Sequence, residues 1–337
     1  MIGLIGDTHF KEALGYSDYV KDGRKQEKDD ILDFIVESFK DCDQIVFLGD
    51  QLNSKNNMSE VIKDFIAFVE RFKDKEIYIL SGNHEKKGDG NTAIDFMKEM
   101  VKTNWHVYTQ PFNTYMDGKA VTFLPYMNKA ELAAQNDAEA TEKIMNCLLP
   151  GDILFLHHAI SDSNTISGQN TNMFQEAVLP RRELETRFKL VVGGHIHTPQ
   201  YSGRTVVTGS IFNNEAGETE KFIWKIGKDL TVEKIKLPGR PIHNLKDPSP
   251  DLIKLLEDRS IVKVTLTDKG IDVESLKEEL KRFDAYLLLE QYPNQRKKLH
   301  FDEGAIDFSI ENLLKIYAEE KGINFGSLMQ GFELIKQ

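Results

Sequence analysis

The strongest constraint on the fold is a set of short apolar runs that stop abruptly: MIGLIG (Met1–Gly6), QIVFLG (Gln44–Gly49), EIYILSG (Glu76–Gly82), AVTFLP (Ala120–Pro125), DILFLHH (Asp152–His158) and KLVVGG (Lys189–Gly194). Each is rich in Ile, Val, Leu and Phe, too short for a helix, and bounded by turn residues. Each therefore reads as a strand buried on both faces. Amphipathic helical patterns lie between the early runs, in DDILDFIVESFK (Asp29–Lys40), MSEVIKDFIAFVERFK (Met58–Lys73) and AIDFMKEMVK (Ala93–Lys102). Strand alternating with helix predicts a layered α/β domain.

After Gly194 the spacing tightens to RTVVTGS (Arg204–Ser210), KFIWKIG (Lys221–Gly227) and LTVEKIKL (Leu230–Leu237), which read as hairpins. The proline-rich PGRPIHNLKDPSP (Pro238–Pro250) marks a boundary. Beyond it a strand (Ser260–Leu266), a helix (Asp272–Phe283) and a strand (Ala285–Tyr292) predict a small α/β cap. The polar stretch Pro293–Gly304 reads as a linker, followed by two helical patterns, Asp307–Gly322 and Asn324–Gln337. With 337 residues the chain exceeds one ordinary core, and the expected division is 1–240, a cap over 241–295, and linker plus terminal helices over 296–337.

Hydrophobic residues make up 40% of the chain and charged residues 29%, which excludes fibrous and low-complexity classes. No apolar run approaches bilayer length and no leader pattern precedes the first strand, so the expected location is the cytoplasm, with no membrane partner. Only two cysteines occur, Cys42 and Cys147, without the spacing of a zinc ribbon or a disulfide framework. The net charge of −11 argues against unaided tight binding to nucleic acid, although bound metal would add local positive charge.

The runs end on metal-ligand residue types. Asp7 and His9 follow the first, Asp50 the second, Asn83 and His84 the third, His157 and His158 the fifth, and His195 and His197 the sixth. Six of the nine histidines fall at these ends. Sites in layered α/β sheets form at carboxyl ends of strands, so residues far apart in sequence can converge there. Two carboxylates, an amide and several imidazoles exceed the four ligands of a single zinc and suit two ions. Oxygen and imidazole donors without thiolate favour Mn, Mg, Fe or Zn, and Asp50, on the middle strand, is the natural bridge. Paired ions suit in-line displacement at phosphorus.

In this order, DTH, GDxxN, GNHE, LHH and GGHIH resemble the five motifs of calcineurin-like metallophosphoesterases, across about Met1 to Pro199. The resemblance implies a two-sheet sandwich flanked by helices. It also implies one ion on Asp7, His9, Asp50 and His197, another on Asp50, Asn83, His157 and His195, and His84 as the unliganded acid. VTFLPYM (Val121–Met127), VVTGSIFNNEAGE (Val206–Glu218), the cap and LLKIYAEEKG are similar to the SbcD nuclease and its relatives of the meiotic-recombination-eleven type. That finer resemblance implies a Mn-dependent, dimeric DNA exo- and endonuclease subunit of a recombination and repair complex. Many cellular members carry histidine three residues after the bridging aspartate, where this chain has Asn53. The resemblance gives that catalytic position a role in phosphate handling, so the balance of exonuclease and endonuclease activity is open here.

In that family the terminal helices grip an SMC-like ATPase of the SbcC type. Here Phe308, Ile310, Leu313, Leu314 and Tyr317, then Leu328, Phe332 and Ile335, recur at helical spacing. Glu85 is expected to cap locally or to bond a ligand imidazole, and His158 to pack behind the site, while His106, His243 and His300 carry no motif. Lys11, Lys21, Arg24, Lys25 and Lys28 form either a solvated loop or a DNA track, and the polar Ser161–Phe174 either filler or a functional loop. Competing readings are a small-molecule or protein phosphoesterase of the same fold, and a scaffold without chemistry. Against a protein phosphatase, no arginine follows closely in GDQLNSKNN; against a scaffold, no expected ligand is missing.

Overall fold

The apolar runs become the inner strands of two stacked sheets. The structure is a computed structural model that describes residues 1–20, 23–87, 91–100, 102–165, 171–174, 176–214, 218, 220–268, 270–283, 285–290, 318 and 324–326. Strands β1 (Ile2–Ile5), β2 (Gln44–Phe47), β3 (Glu76–Leu80) and β4 (Trp105–Tyr108) come first, then β5 (Phe112–Met116), β6 (Lys119–Leu124) and β7 (Gly151–Leu156). Next are β8 (Ala159–Ile160), β9 (Val178–Leu179), β10 (Phe188–Gly193), β11 (Gln200–Ser202) and β12 (Thr205–Val207). The last are β13 (Phe222–Ile226), β14 (Val232–Lys236), β15 (Ile242–Lys246), β16 (Ile261–Leu266) and β17 (Ala285–Glu290). One six-stranded sheet has the order β14-β13-β1-β2-β3-β4, the other β11-β12-β10-β7-β6-β5.

Alternation along the strands divides the core. Leu4, Val46 and Leu80 meet Phe123, Phe155 and Val192 between the sheets. Ile45, Phe47 and Ile79 face the other way, onto Ile35 of α1 (Lys25–Ser38) and Phe65 of α2 (Ser59–Glu70). Beyond the second sheet, Leu154 and Leu156 pack with Ile144 of α4 (Asp137–Cys147) and Leu184 of α5 (Arg181–Arg187). Both faces of each central strand are covered, which explains their unbroken apolar runs. The result is the helix–sheet–sheet–helix sandwich of the expected α/β class.

Several local expectations change. The helix expected over Ala93–Lys102 is the single turn α3 (Phe96–Glu99). Strands Arg204–Ser210 and Lys221–Gly227 do not pair with each other: β12 joins β10 and β11, while β13 and β14 form the hairpin of the first sheet. The proline-rich boundary contains β15, which pairs in parallel with β16, and β16 pairs in parallel with β17. This small sheet carries α6 (Pro250–Lys254) and α7 (Val273–Leu280). Ile242, Ile261 and Ala285 enclose Val20 from the loop after β1.

Met1–Gln291 forms one compact unit and Tyr292–Gln337 another. Apart from Ala318 and residues 324–326, the expected linker and helical hairpin over 296–337 lie outside the described residues, as do Lys21 and His300. Among the described residues no helix is long and apolar enough to cross a membrane.

Candidate metal centre

The strand ends converge. Asp7, His9 and His197 form one group of mutually close ligand atoms; His9, Asp50 and His84 form a second, and Asp50, His157 and His195 a third. Asn83 joins the third through Oδ1, which lies 3.1 Å from His157 Nε2 and 2.9 Å from His195 Nδ1. Asp50 Oδ2 is the common neighbour, 3.3 Å from His157 Nε2, 3.8 Å from His9 Nε2 and 3.9 Å from His84 Nε2. All the expected ligands are thus brought to one place.

The backbone is bent to achieve this. His9, Asp50 and His195 have φ values of 42°, 51° and 77°, a left-handed conformation that costs a non-glycine residue on the order of 1–3 kcal/mol and concentrates at functional sites. The approach of the chains is equally tight. A Cβ on Gly49, whose φ is 100°, would lie 2.0 Å from His157 Nδ1, and one on Gly82 would lie 2.0 Å from Asp50 Oδ1.

Backbone groups orient the side chains. The His195 amide donates to Asp7 Oδ1 at 3.0 Å, and the His84 amide to Asp50 Oδ1 at 2.9 Å. His157 Nδ1 donates to the Leu48 carbonyl at 2.6 Å, which turns the Nε2 lone pair toward Asp50 and Asn83. Fully buried Glu85 accepts from the amides of Leu52 (2.8 Å) and Gly82 (2.6 Å), tying the turn after Asp50 to the turn before Asn83. Of the two expected roles for Glu85, the structure shows the local cap. His158 is fully buried, accepts from the Met127 amide at 3.1 Å and stacks on Tyr126. Asn53 is exposed and meets the site through its carbonyl, which accepts from His84 Nδ1 at 2.8 Å. The His84 side chain is 41% exposed, whereas those of Asp50 and His157 are at most 2% exposed.

The electrostatics call for a cation. Asp7 and Asp50 are buried, and among the described residues only histidines lie within ion-pair distance of them. Buried carboxylates without a partner are costly. Among the described residues, Asp7 Oδ2 and His9 Nδ1 have no hydrogen-bond partner. Burial alone would lower His157, but the charge and hydrogen bond of Asp50, aided by Asp7, raise it to about 10, so the surroundings of Nε2 favour positive charge. Burial raises Asp50 too, yet neighbouring imidazoles, His157 foremost, outweigh it and hold the carboxyl well below its usual range. Burial raises Asp7 and lowers His9 to about 3, leaving His9 a neutral imidazole. Oxygen and neutral nitrogen donors in this arrangement fit divalent ions such as Mn, Mg, Fe or Zn.

Two carboxylates escaped the sequence analysis. Glu176 Oε1 lies 2.7 Å from His195 Nε2, and Glu218 Oε1 lies 3.8 Å from His197 Nδ1. Glu176 lies two residues beyond the polar loop already singled out, and Glu218 ends the quoted VVTGSIFNNEAGE stretch, but neither belongs to a motif shared with its histidine. The basic loop is not a uniform track. Arg24 is buried, bonds Glu27 through both carboxylate oxygens (2.8 and 2.6 Å), and donates to the carbonyls of Gly15 and Asn213. Lys25 and Lys28 line a groove of about 490 Å³ with Arg71, opposed by Glu12, Asp29 and Asp64.

A sandwich of two sheets with aspartate, asparagine and histidine converging at its strand ends defines a metal-dependent phosphoester hydrolase. Residues 1–199 match the model of the calcineurin-like phosphoesterase family, and the chain belongs to that family. No curated protein matches the chain.

Proposed function

We propose that the chain is a dinuclear-metal phosphodiesterase acting on DNA, the nuclease subunit of an SbcCD-like recombination and repair complex in the cytoplasm. The observation that carries the dinuclear reading is Asp50 Oδ2, shared by the nitrogens of His9, His84 and His157. Asp7, His9, Asp50 and His197 would hold one ion, and Asp50, Asn83, His157 and His195 the other. Bound there, the ions supply charge to the phosphate and lower the pKa of water. His84 remains outside both sets. Its Nδ1 is committed to the Asn53 carbonyl, so Nε2 is the atom that moves a proton to the leaving oxygen. Its exposure supports that role, since a phosphate must enter from solvent.

DNA as substrate is supported by the ordered motifs, the small sheet β15-β16-β17 beside the nuclease unit, and the apolar helical patterns after Gly304. Those patterns would dock an SMC-like ATPase of the SbcC type, whose surface would compensate for the acidic charge of this homodimeric subunit. The test is Mn-dependent cleavage of linear duplex and single-stranded DNA, with and without the ATPase, beside a small phosphomonoester. Slow cleavage of DNA by the chain alone, stimulated by the ATPase and ATP, is expected. Efficient phosphomonoester turnover without action on DNA would make it a small-molecule phosphatase instead.

A further inference from the structure

We propose that the Tyr126 hydroxyl contacts the substrate, donating a hydrogen bond to a non-bridging oxygen of the phosphate held at the metal centre. The inference deepens the reading above and rests on it for the presence of that phosphate. Five of the six apolar runs end on expected ligands; the fourth, on β6, ends on Pro125 and Tyr126. Tyr126 sits on the same rim. Its ring stacks on His158, with centroids 5.0 Å apart and planes 22° from parallel, and its centroid lies 6.0 Å from that of His195. A buried tyrosine ordinarily finds a partner for its O–H. Half-buried Tyr126 has none among the described residues. Burial, then the charges of Glu176 and Asp50, followed by Glu131 and Asp137, hold the phenol above its ordinary range. Glu176 backs His195 and Asp50 is the shared carboxylate, so the oxygen end of the ring lies on the side of the metal centre. A phenol is protonated at neutral pH with or without that shift, and the group is a donor.

The wall that carries this hydroxyl is fixed before any substrate arrives. The Tyr126 amide donates to the Ser81 carbonyl at 3.0 Å, just before the tight turn at Gly82 and Asn83. Asn128 and Glu131 cap the following turn reciprocally, each amide donating to the other's side chain at 2.9 Å. The second oxygen of Glu131 accepts from Lys86 Nζ at 2.7 Å, in an ion pair that is nearly buried. Lys86 follows Asn83 and His84, so this pair ties the loop bearing Tyr126 to the turn bearing a ligand and the acid. A hydroxyl held in this way gives up little freedom when it bonds an anion.

The experiment uses the full-length chain: wild type, Tyr126→Phe, which keeps the ring on His158 and removes only the hydroxyl, and Tyr115→Phe as control, 76% exposed on β5. Titration calorimetry measures Mn binding, then the binding of inorganic phosphate to the Mn-loaded chain; kinetics use bis(p-nitrophenyl) phosphate. Tyr126→Phe is expected to bind Mn as wild type does and phosphate about 10- to 100-fold more weakly, the range of one hydrogen bond to a charged group. Its kcat/KM for the diester should fall by a comparable factor, and Tyr115→Phe should match wild type throughout. Unchanged phosphate affinity in Tyr126→Phe overturns the inference. Loss of Mn affinity in that variant, or equal weakening in Tyr115→Phe, overturns it as well. If Mn-loaded wild type binds no phosphate, the metal-site reading and the inference fall together. If it binds phosphate but leaves the diester intact, the DNA reading falls alone, and the phosphate affinities still decide the role of Tyr126.

Discussion

Adding one methyl group to Gly82 should damage the metal centre without replacing a ligand. A Cβ at that position would sit 2.0 Å from Asp50 Oδ1 and 2.4 Å from the Asp50 amide nitrogen. Ordinary contact begins near 3.4 Å, so the carboxylate oxygen must retreat by about 1.4 Å and the amide nitrogen by about 1.0 Å. The oxygen concerned is the one that accepts from the His84 amide, so it cannot swing aside without breaking that bond. Overpacking of this kind costs about 1–3 kcal/mol of stability, and misplacing a reacting group by about 1 Å costs on the order of 100-fold in rate. Gly82→Ala should therefore stay folded, bind Mn at least tenfold more weakly and cleave phosphodiesters about 100-fold more slowly. Gly118→Ala is the control, since φ there is 76° but, among the described residues, no atom beyond its own chain neighbours lies within 4 Å of the new Cβ. It should lose a little stability and no metal. Calorimetry of folding and of Mn binding reads both variants. Wild-type Mn affinity in a folded Gly82→Ala, or equal loss in Gly118→Ala, would refute the steric argument.

Other outcomes follow from the same structure. Arg24→Ala removes the bidentate partner of buried Glu27 and leaves it facing Arg240, whose Nε lies 3.5 Å away, so it should cost up to about 3–5 kcal/mol in chemical denaturation; a loss under 1 kcal/mol would contradict the role of that pair. Burial raises the Cys42 thiol to about 11, so at pH 8 it should resist a thiol reagent until the chain is unfolded, and native labelling should accelerate as the pH approaches 11. In metal-free protein His9 titrates near 3 against an ordinary 6.5. The unfolded chain therefore takes up a proton the native one refuses, and stability present above pH 6.5 is lost toward pH 3. The melting temperature of wild type should thus fall relative to His9→Asn over that window; parallel curves would refute it. A chain ending at Gly304 should keep metal binding and slow cleavage but lose association with the ATPase, as pull-down would show; unfolding of the truncated chain would sink the docking proposal.

The site was legible because its residues obey a positional rule. Asp7, Asp50, Asn83, His157 and His195 each follow a strand buried on both faces, and such strands announce themselves as apolar runs. β4 and β5 were missed because they are edge strands: WHVY and FNTYM mix rings and polar groups, since only part of each faces the core. β15 was hidden by flanking prolines, which end elements but do not forbid a five-residue strand between them. Glu176 was invisible because a loop of arbitrary length brings it to His195. Arg24 looked like part of a basic track until Glu27, three residues on, and the carbonyls of Gly15 and Asn213 enclosed it. Sequence periodicity reports burial against a neighbouring layer; it does not report contacts made through irregular backbone.

The central claim is that Asp50 joins two ions. Crystals grown with Mn, measured at the Mn absorption edge for wild type and for Asp50→Asn, test it directly. The account predicts two anomalous peaks in the wild type, one on either side of the Asp50 carboxylate, and marked loss of both in the variant. A single peak in the wild type, or two undiminished peaks in Asp50→Asn, would contradict it.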